Sequence, residues 1–228
     1  EALFAAAAAG DVGRLRAALA AGADPDTWNA EHAAAIHLAA RGGHTDAVLA
    51  LLDGGADVDR QEEGLGRSAL LLAISQGRVV TAMALLERGA DPTLADRGVT
   101  PLRAAARSGR LDVVRALVER DALARAREAQ HRSNALGDAA AEGHVEVVRV
   151  LLAAGVPVDA GLPGWSALMH AARNGHIRAV EALLDAGADP RAVSPNGKTA
   201  LGLAREHGRS EVIALLEARG AAAAPGAH

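Results

Sequence analysis

The chain has no cysteine and no tyrosine, and among its 228 residues only Phe4, Trp28 and Trp165 are aromatic. Without cysteine there are no disulfides, no thiolate metal sites and no cysteine nucleophile. Half of the residues are apolar, yet almost none is aromatic, so bulky side chains cannot fill one thick core. Thin layers, in which alanine lets backbones approach closely, are the alternative. Lysine is nearly missing as well: Lys198 is the only one, and arginine carries the remaining positive charge. With so much Ala and Gly, that bias suggests a GC-rich, bacterial coding sequence. The net charge of −4 is mild and exerts no general pull towards nucleic acid. No apolar run reaches the roughly 20 residues of a membrane span, and the opening EALFAAAAAGD lacks the basic stretch of a signal peptide. The expectation is a cytoplasmic protein without a membrane partner, although a first residue other than Met leaves room for a removed leader. P-loop, GxSxG, HExxH and dinucleotide fingerprints are all absent. No cofactor is expected.

What the sequence does have is a period. Ile36, Leu70, Leu102, Leu136, Leu168 and Leu201 follow one another at steps of 34, 32, 34, 32 and 33 residues. A second marker, the turn opening at Gly22, Gly55, Gly89, Asp121, Gly155, Gly187 and Gly220, steps by 33, 34, 32, 34, 32 and 33. Each unit reads as two short helices. In SALMHAARNG, Ser166 is placed to cap the N-terminus and Gly175 to end the helix in a left-handed conformation. In HIRAVEALLDAG, Ile177, Val180, Leu183 and Leu184 share one apolar face. The segment ADPRAVSPNG then turns back, because Pro, Asn and Gly favour turns over helix.

The phrases GVTPLRAAARSGR (98–110), GHTDAVLALLDGGADVD (43–59) and GHIRAVEALLDAGADP (175–190) resemble the ankyrin repeat, over essentially the whole chain. That resemblance implies an all-α solenoid of seven stacked helix pairs, built from L-shaped units joined by hairpin fingers, with a concave side that binds partners. It implies one domain over 1–220. Residues 1–22 form its N-terminal cap, 23–55, 56–89, 90–121, 122–155 and 156–187 its internal repeats, and 188–220 its C-terminal repeat. A flexible tail is expected at 221–228. The departures are local. His32 and Arg132 stand where fingers carry Gly, and RDALARAREAQHRSN (120–134) is the least regular link. His37 keeps the family's T-P-L-H histidine and is expected to bond between fingers. His44, His144 and His176 fill an ordinary Gly-His position and read as structural. Trp28, in the first finger, reads as cover for the edge of the first units.

In the family the first helices line the concave side, and there the units of this chain differ most. The positions before the helix-ending Gly are Arg41/Gly42, Ser75/Gln76, Arg107/Ser108, Ala141/Glu142, Arg173/Asn174 and Glu206/His207. The fingertip column reads Ala33, Arg67, Val99, Ser133, Trp165 and Lys198. One turn earlier on the helix face, Asp138 and His170 replace Leu38, Leu72, Ala104 and Leu203 of the other units. The candidate partner-binding residues are therefore Arg67, Arg97, Val99, Arg103, Arg107, His131, Asp138, Glu142, Trp165, His170, Arg173 and Asn174.

Three readings of that polar middle compete. It is a salt-bridged exposed face, which contributes little stability. Or it recognises another protein or an anionic ligand, with Arg forks for carboxylates or phosphates and Trp165 as a flat anchor. An acidic or mixed-charge partner complements the excess of arginine between 97 and 132. Or it performs acid–base chemistry on a small molecule, with His170 as general acid or base, Asp138 as a second carboxyl group converging on it, and Arg103 or Arg107 stabilising an anion. Recognition of a protein by a monomer is the leading expectation. Specific nucleic-acid binding is not expected, because the chain has no Lys-rich stripe and one aromatic residue in the groove. A metal site would need three or four converging ligands, and none is expected.

Overall fold

The computed structural model describes residues 1–120, 129–159 and 164–220. Among them are fourteen helices and no strand. They are α1 (Ala2–Ala9), α2 (Val12–Ala20), α3 (Ala35–Gly42), α4 (Thr45–Asp53), α5 (Ala69–Ser75), α6 (Val79–Glu87), α7 (Pro101–Arg107), α8 (Leu111–Arg120), α9 (Ala129–Ala141), α10 (Val145–Ala153), α11 (Ala167–Asn174), α12 (Ile177–Asp185), α13 (Ala200–Glu206) and α14 (Ser210–Ala218). Helices this short are marginal alone in water, so each depends on its neighbours. The chain divides into two compact units, Glu1–Ala104 and Ala105–His228, with the boundary inside α7.

In the first unit the odd-numbered helices form one layer, α1 on α3 and α3 on α5, and the even-numbered ones a second, α2 on α4 and α4 on α6. The second unit repeats the scheme, α9 on α11 and α11 on α13 in one layer, α8, α10, α12 and α14 in the other. Alanine is what allows close stacking. Ala35, Ala39, Ala40, Ala139, Ala140, Ala167, Ala171 and Ala172 are all fully buried. Each second helix adds one large side chain, Leu15, Leu51, Leu85, Leu117, Leu151, Leu183 and Leu216, at most 2% exposed. Burying a leucine is worth roughly 1.5–3 kcal/mol, and from Leu51 on this column recurs with the period of the sequence, whereas Leu15 lies one turn earlier in its helix.

The caps come from the Ser or Thr that follows the fingertip residue. Ser68, Thr100, Ser166 and Thr199 accept from the main-chain N–H groups of Leu71, Arg103, Met169 and Gly202 at 3.3, 3.3, 3.3 and 3.0 Å. The second repeat has Ala34 there, and His37 stands in, its Nδ1 accepting from Ala34 N–H at 2.9 Å. The ring's Nε2–H donates to the carbonyl of Arg60 at 2.8 Å, tying one finger to the next. Successive turns are tied by carboxylates. Asp26, Asp59 and Asp159 accept from the N–H groups of Asp57, Asp91 and Asp189 at 3.0, 2.8 and 3.1 Å.

The irregular link differs from its expected shape. A finger with Arg132 at the glycine corner is the sequence reading, but α9 is 13 residues long and carries Arg132 within the helix. The left-handed corner costs a non-glycine residue about 1–2 kcal/mol, and AQHRSNAL has no Gly or Pro to interrupt a helix. At His32 the corner survives, with φ 60. Residues 121–128 of that link and the expected tail at 221–228 lie outside the described residues.

Candidate recognition face

The first helices and the fingers place the candidate residues, and the two units use them differently. In the first unit most of the cations are already engaged. Glu62, 3% exposed, lies between two guanidiniums: Arg41 Nη2 donates to one carboxylate oxygen and Arg67 Nε to the other, both at 2.6 Å. Arg103 is half-buried and its Nη1 donates to the carbonyl of Gly98 at 3.0 Å. Arg97 is exposed, holds a left-handed φ of 47 and lies 3.9 Å from Asp96. Val99, at the same fingertip, is one of four exposed large apolar side chains among the described residues.

In the second unit the structure gathers Trp165, His170 and Arg173, all carried by α11 and the finger before it. The Trp165 and His170 rings lie 5.3 Å apart, tilted by 47°. The Arg173 guanidinium sits over the indole at 5.5 Å, a cation–π contact. Arg173 Nε also donates to His207 Nε2 at 3.4 Å, while His207 Nδ1 donates to the carbonyl of Leu203 at 3.1 Å. His170 Nε2 is buried without a hydrogen-bond partner. Burial holds the imidazole pKa below its ordinary value, with Arg173 pushing the same way and Asp138 opposing both. Asp138 on α9 and His170 on α11 therefore do act on each other, as their shared column suggests. Arg107 and Glu142 meet at 4.0 Å, both well exposed, which is a weak pair.

Asn174 is spent on structure. Its Nδ2 donates to the carbonyl of Ala141 at 2.6 Å, beside the Nε2–H of His176 at 2.9 Å. His131 falls in α9, but its side chain lies outside the described residues. Lys198 pairs with Glu206 and holds that carboxyl below its ordinary range. Sequence reasoning missed the buried Glu62 and the stack of the Arg60 guanidinium on Trp28, 4.1 Å from the ring centre. Both belong to finger positions that vary from unit to unit, so the repeat frame carried no signal for them. Among the described residues no three His, Asp or Glu side chains form a metal-binding group. No described helix is long and apolar enough to cross a membrane.

The family model for ankyrin repeats matches the chain in three copies, over residues 3–96, 93–162 and 139–223. Among solved structures, the crystal structure of the human ASB11 ankyrin repeat domain superposes with a TM-score of 0.81. It is 27% identical, over 95% of this chain and 97% of that one. No curated protein sequence is matched.

Proposed function

Because the chain belongs to the ankyrin repeat family, whose fold is generally a protein–protein interaction module, we propose that it recognises an acidic or mixed-charge protein through the face formed by its first helices and fingers. Within this face, the constellation of Trp165, His170, Arg173 and Asp138 is the centre of the proposed contact. The observation that supports this reading most strongly is a contrast inside the repeat. The frame positions are filled almost identically from unit to unit, while the fingertip, which is at least partly exposed, carries Arg67 in one, Val99 in another and Trp165 in a third. An indole flanked by a guanidinium is the kind of anchor that dominates interface energies, and the Arg107 side chain beside Glu142 is largely open to solvent. Acid–base chemistry on a small ligand needs an imidazole nitrogen within reach of the bound molecule. The buried Nε2 of His170 weighs against it.

The test is to capture the partner from the source cell and map its footprint by hydrogen exchange. Protection is expected on α9, α11, α13 and their fingers, and Trp165→Ala should weaken binding by about 2 kcal/mol or more while the circular dichroism stays helical. A footprint confined to the second helices, with Trp165→Ala binding as the wild type does, would sink the reading.

A further inference from the structure

Three buried polar atoms among the described residues have no hydrogen-bond partner: Arg60 Nε, Asp96 Oδ1 and His170 Nε2. The first belongs to a guanidinium stacked on Trp28, and the second has Arg97 at 3.9 Å. Only His170 belongs to a residue type that changes charge near neutrality. The other described histidines are served. His37, His44, His144, His176 and His207 each place a ring nitrogen on a main-chain carbonyl, and His32 places one on Glu63. A buried donor or acceptor left unmade costs roughly 1–3 kcal/mol.

Trp165 is the ring against His170. It is a half-buried fingertip side chain that also carries the Arg173 guanidinium over its ring. The charges acting on His170 are Asp138 from α9 and Arg173 from its own helix. From α13, His207 reaches the cluster through Arg173, and the residues that α12 buries are Ala179, Val180, Ala182 and Leu183, none charged. Protonating His170 would thus turn a balanced cluster, one Arg against one Asp, into one with a net positive charge.

We propose that an acidic segment of the partner protein docks by swinging Trp165 off His170, and that the uncovered imidazole takes up a proton from solvent and donates it in a hydrogen bond to a partner carboxylate. This rests on the recognition reading above and adds its pH dependence. Burial penalises the charged imidazole in the free protein. In the complex a carboxylate within hydrogen-bond distance favours the charged ring. Binding then carries a proton, and affinity rises by up to about tenfold for each pH unit through which the ring titrates. The occupant is acidic because an anion both accepts from the imidazolium and complements the Arg173 fork, and in an unmodified protein segment that anion is the carboxylate of Asp or Glu.

The experiment uses the Trp28→Phe chain, in which Trp165 is the only tryptophan and its fluorescence reports docking. The probe is an acetylated, amidated octapeptide alternating Leu and Glu, with a Leu–Lys peptide as control. Titrations are run at about pH 7.5 and about pH 5.5, where Glu remains ionised. The Glu peptide should bind at least about fivefold more tightly at the lower pH, the Lys peptide should not, and His170→Gln should make the two affinities equal. Calorimetry in two buffers of different ionisation enthalpy should show net proton uptake by the chain with His170 intact. A Glu peptide that binds equally at both values, without proton uptake, overturns the proton linkage and leaves the recognition reading standing. No binding of the Glu peptide at either value, or equal binding of the Lys peptide, overturns both.

Discussion

His176 Nε2–H donates to the carbonyl of Ala141, the last residue of α9, at 2.9 Å, and so ties one helix pair to the next. The same tie recurs along the chain with two residue types. His44 reaches Ala8 and His144 reaches Arg107, at 3.0 and 3.1 Å. Arg78 reaches Arg41 and Arg209 reaches Arg173, through Nε at 3.2 and 3.0 Å. In each case a donor meets a carbonyl in the last turn of a first helix, where the helix has no donor of its own. His176→Ala should cost about 1 kcal/mol in urea unfolding. His176→Arg should recover most of it, since Arg209 already makes that bond. Gly143→Ala should cost more than His176→Ala. Its φ is +74, and an added Cβ would lie 2.6 Å from His176 Nδ1.

His37 should make the first unit sensitive to acid. The ring accepts at Nδ1 from Ala34 N–H and donates at Nε2 to Arg60, an arrangement only the neutral imidazole can keep. Its pKa is lowered, chiefly by burial. The unfolded chain, with an ordinary histidine near 6.5, therefore binds the proton first as pH falls. Stability from this group is full above about pH 6.5 and is lost below it, at about 1.4 kcal/mol per pH unit until the folded pKa is reached. Comparing wild type with His37→Gln by urea unfolding at about pH 7.5 and about pH 5.5 isolates the effect. An unchanged difference between the two proteins would refute it.

How much of this was legible in the sequence follows from where each residue sits in the period. The Ala–Leu frame, the caps at Ser68, Ser166 and Thr199 and the Gly–His ties repeat, so one unit predicts the next. The family match over residues 3–223 accords with that. The face residues do not repeat, and their partners depend on side chains meeting across neighbouring fingers. Arg67 is a fingertip candidate for partner binding in the sequence, yet it is paired with Glu62, which periodicity could not single out. The electrostatic influence of Asp138 on His170 was visible because both fall in a column that is otherwise Leu or Ala. The contact between the Trp165 and His170 rings depends on rotamers and was not.

His32 stores strain that glycine would relieve. It holds φ 60 where the comparable finger positions Gly66, Gly98, Gly164 and Gly197 hold φ 71, 79, 87 and 77. Its Nδ1 contact with Glu63, 2.6 Å long, joins two exposed side chains and contributes little. His32→Gly should therefore raise the stability of the first unit by about 1 kcal/mol, seen as a higher urea midpoint. A loss of stability would mean that the contact with Glu63 outweighs the backbone strain.

The carboxylate ties between turns should prefer the uncharged amide. Asp59 accepts from Asp91 N–H at 2.8 Å, so its acceptor oxygen is needed. Its charge is not needed, because desolvation and the neighbouring Asp91 and Asp57 raise its pKa against that same hydrogen bond. The folded state thus holds the proton on Asp59 more tightly than the unfolded chain, so this group penalises folding once it is ionised and ceases to do so as pH falls through its raised value. Asp59→Asn keeps an acceptor for Asp91 and removes the charge. It should be neutral to stabilising by about 0.5 kcal/mol at neutral pH, with the gain shrinking as salt screens the three acids. Asp59→Ala removes the acceptor as well and should destabilise by about 1 kcal/mol. Urea midpoints of the three proteins at low and high salt separate the two effects. An Asn variant as unstable as the Ala variant would show that the ionised carboxylate itself holds the turn.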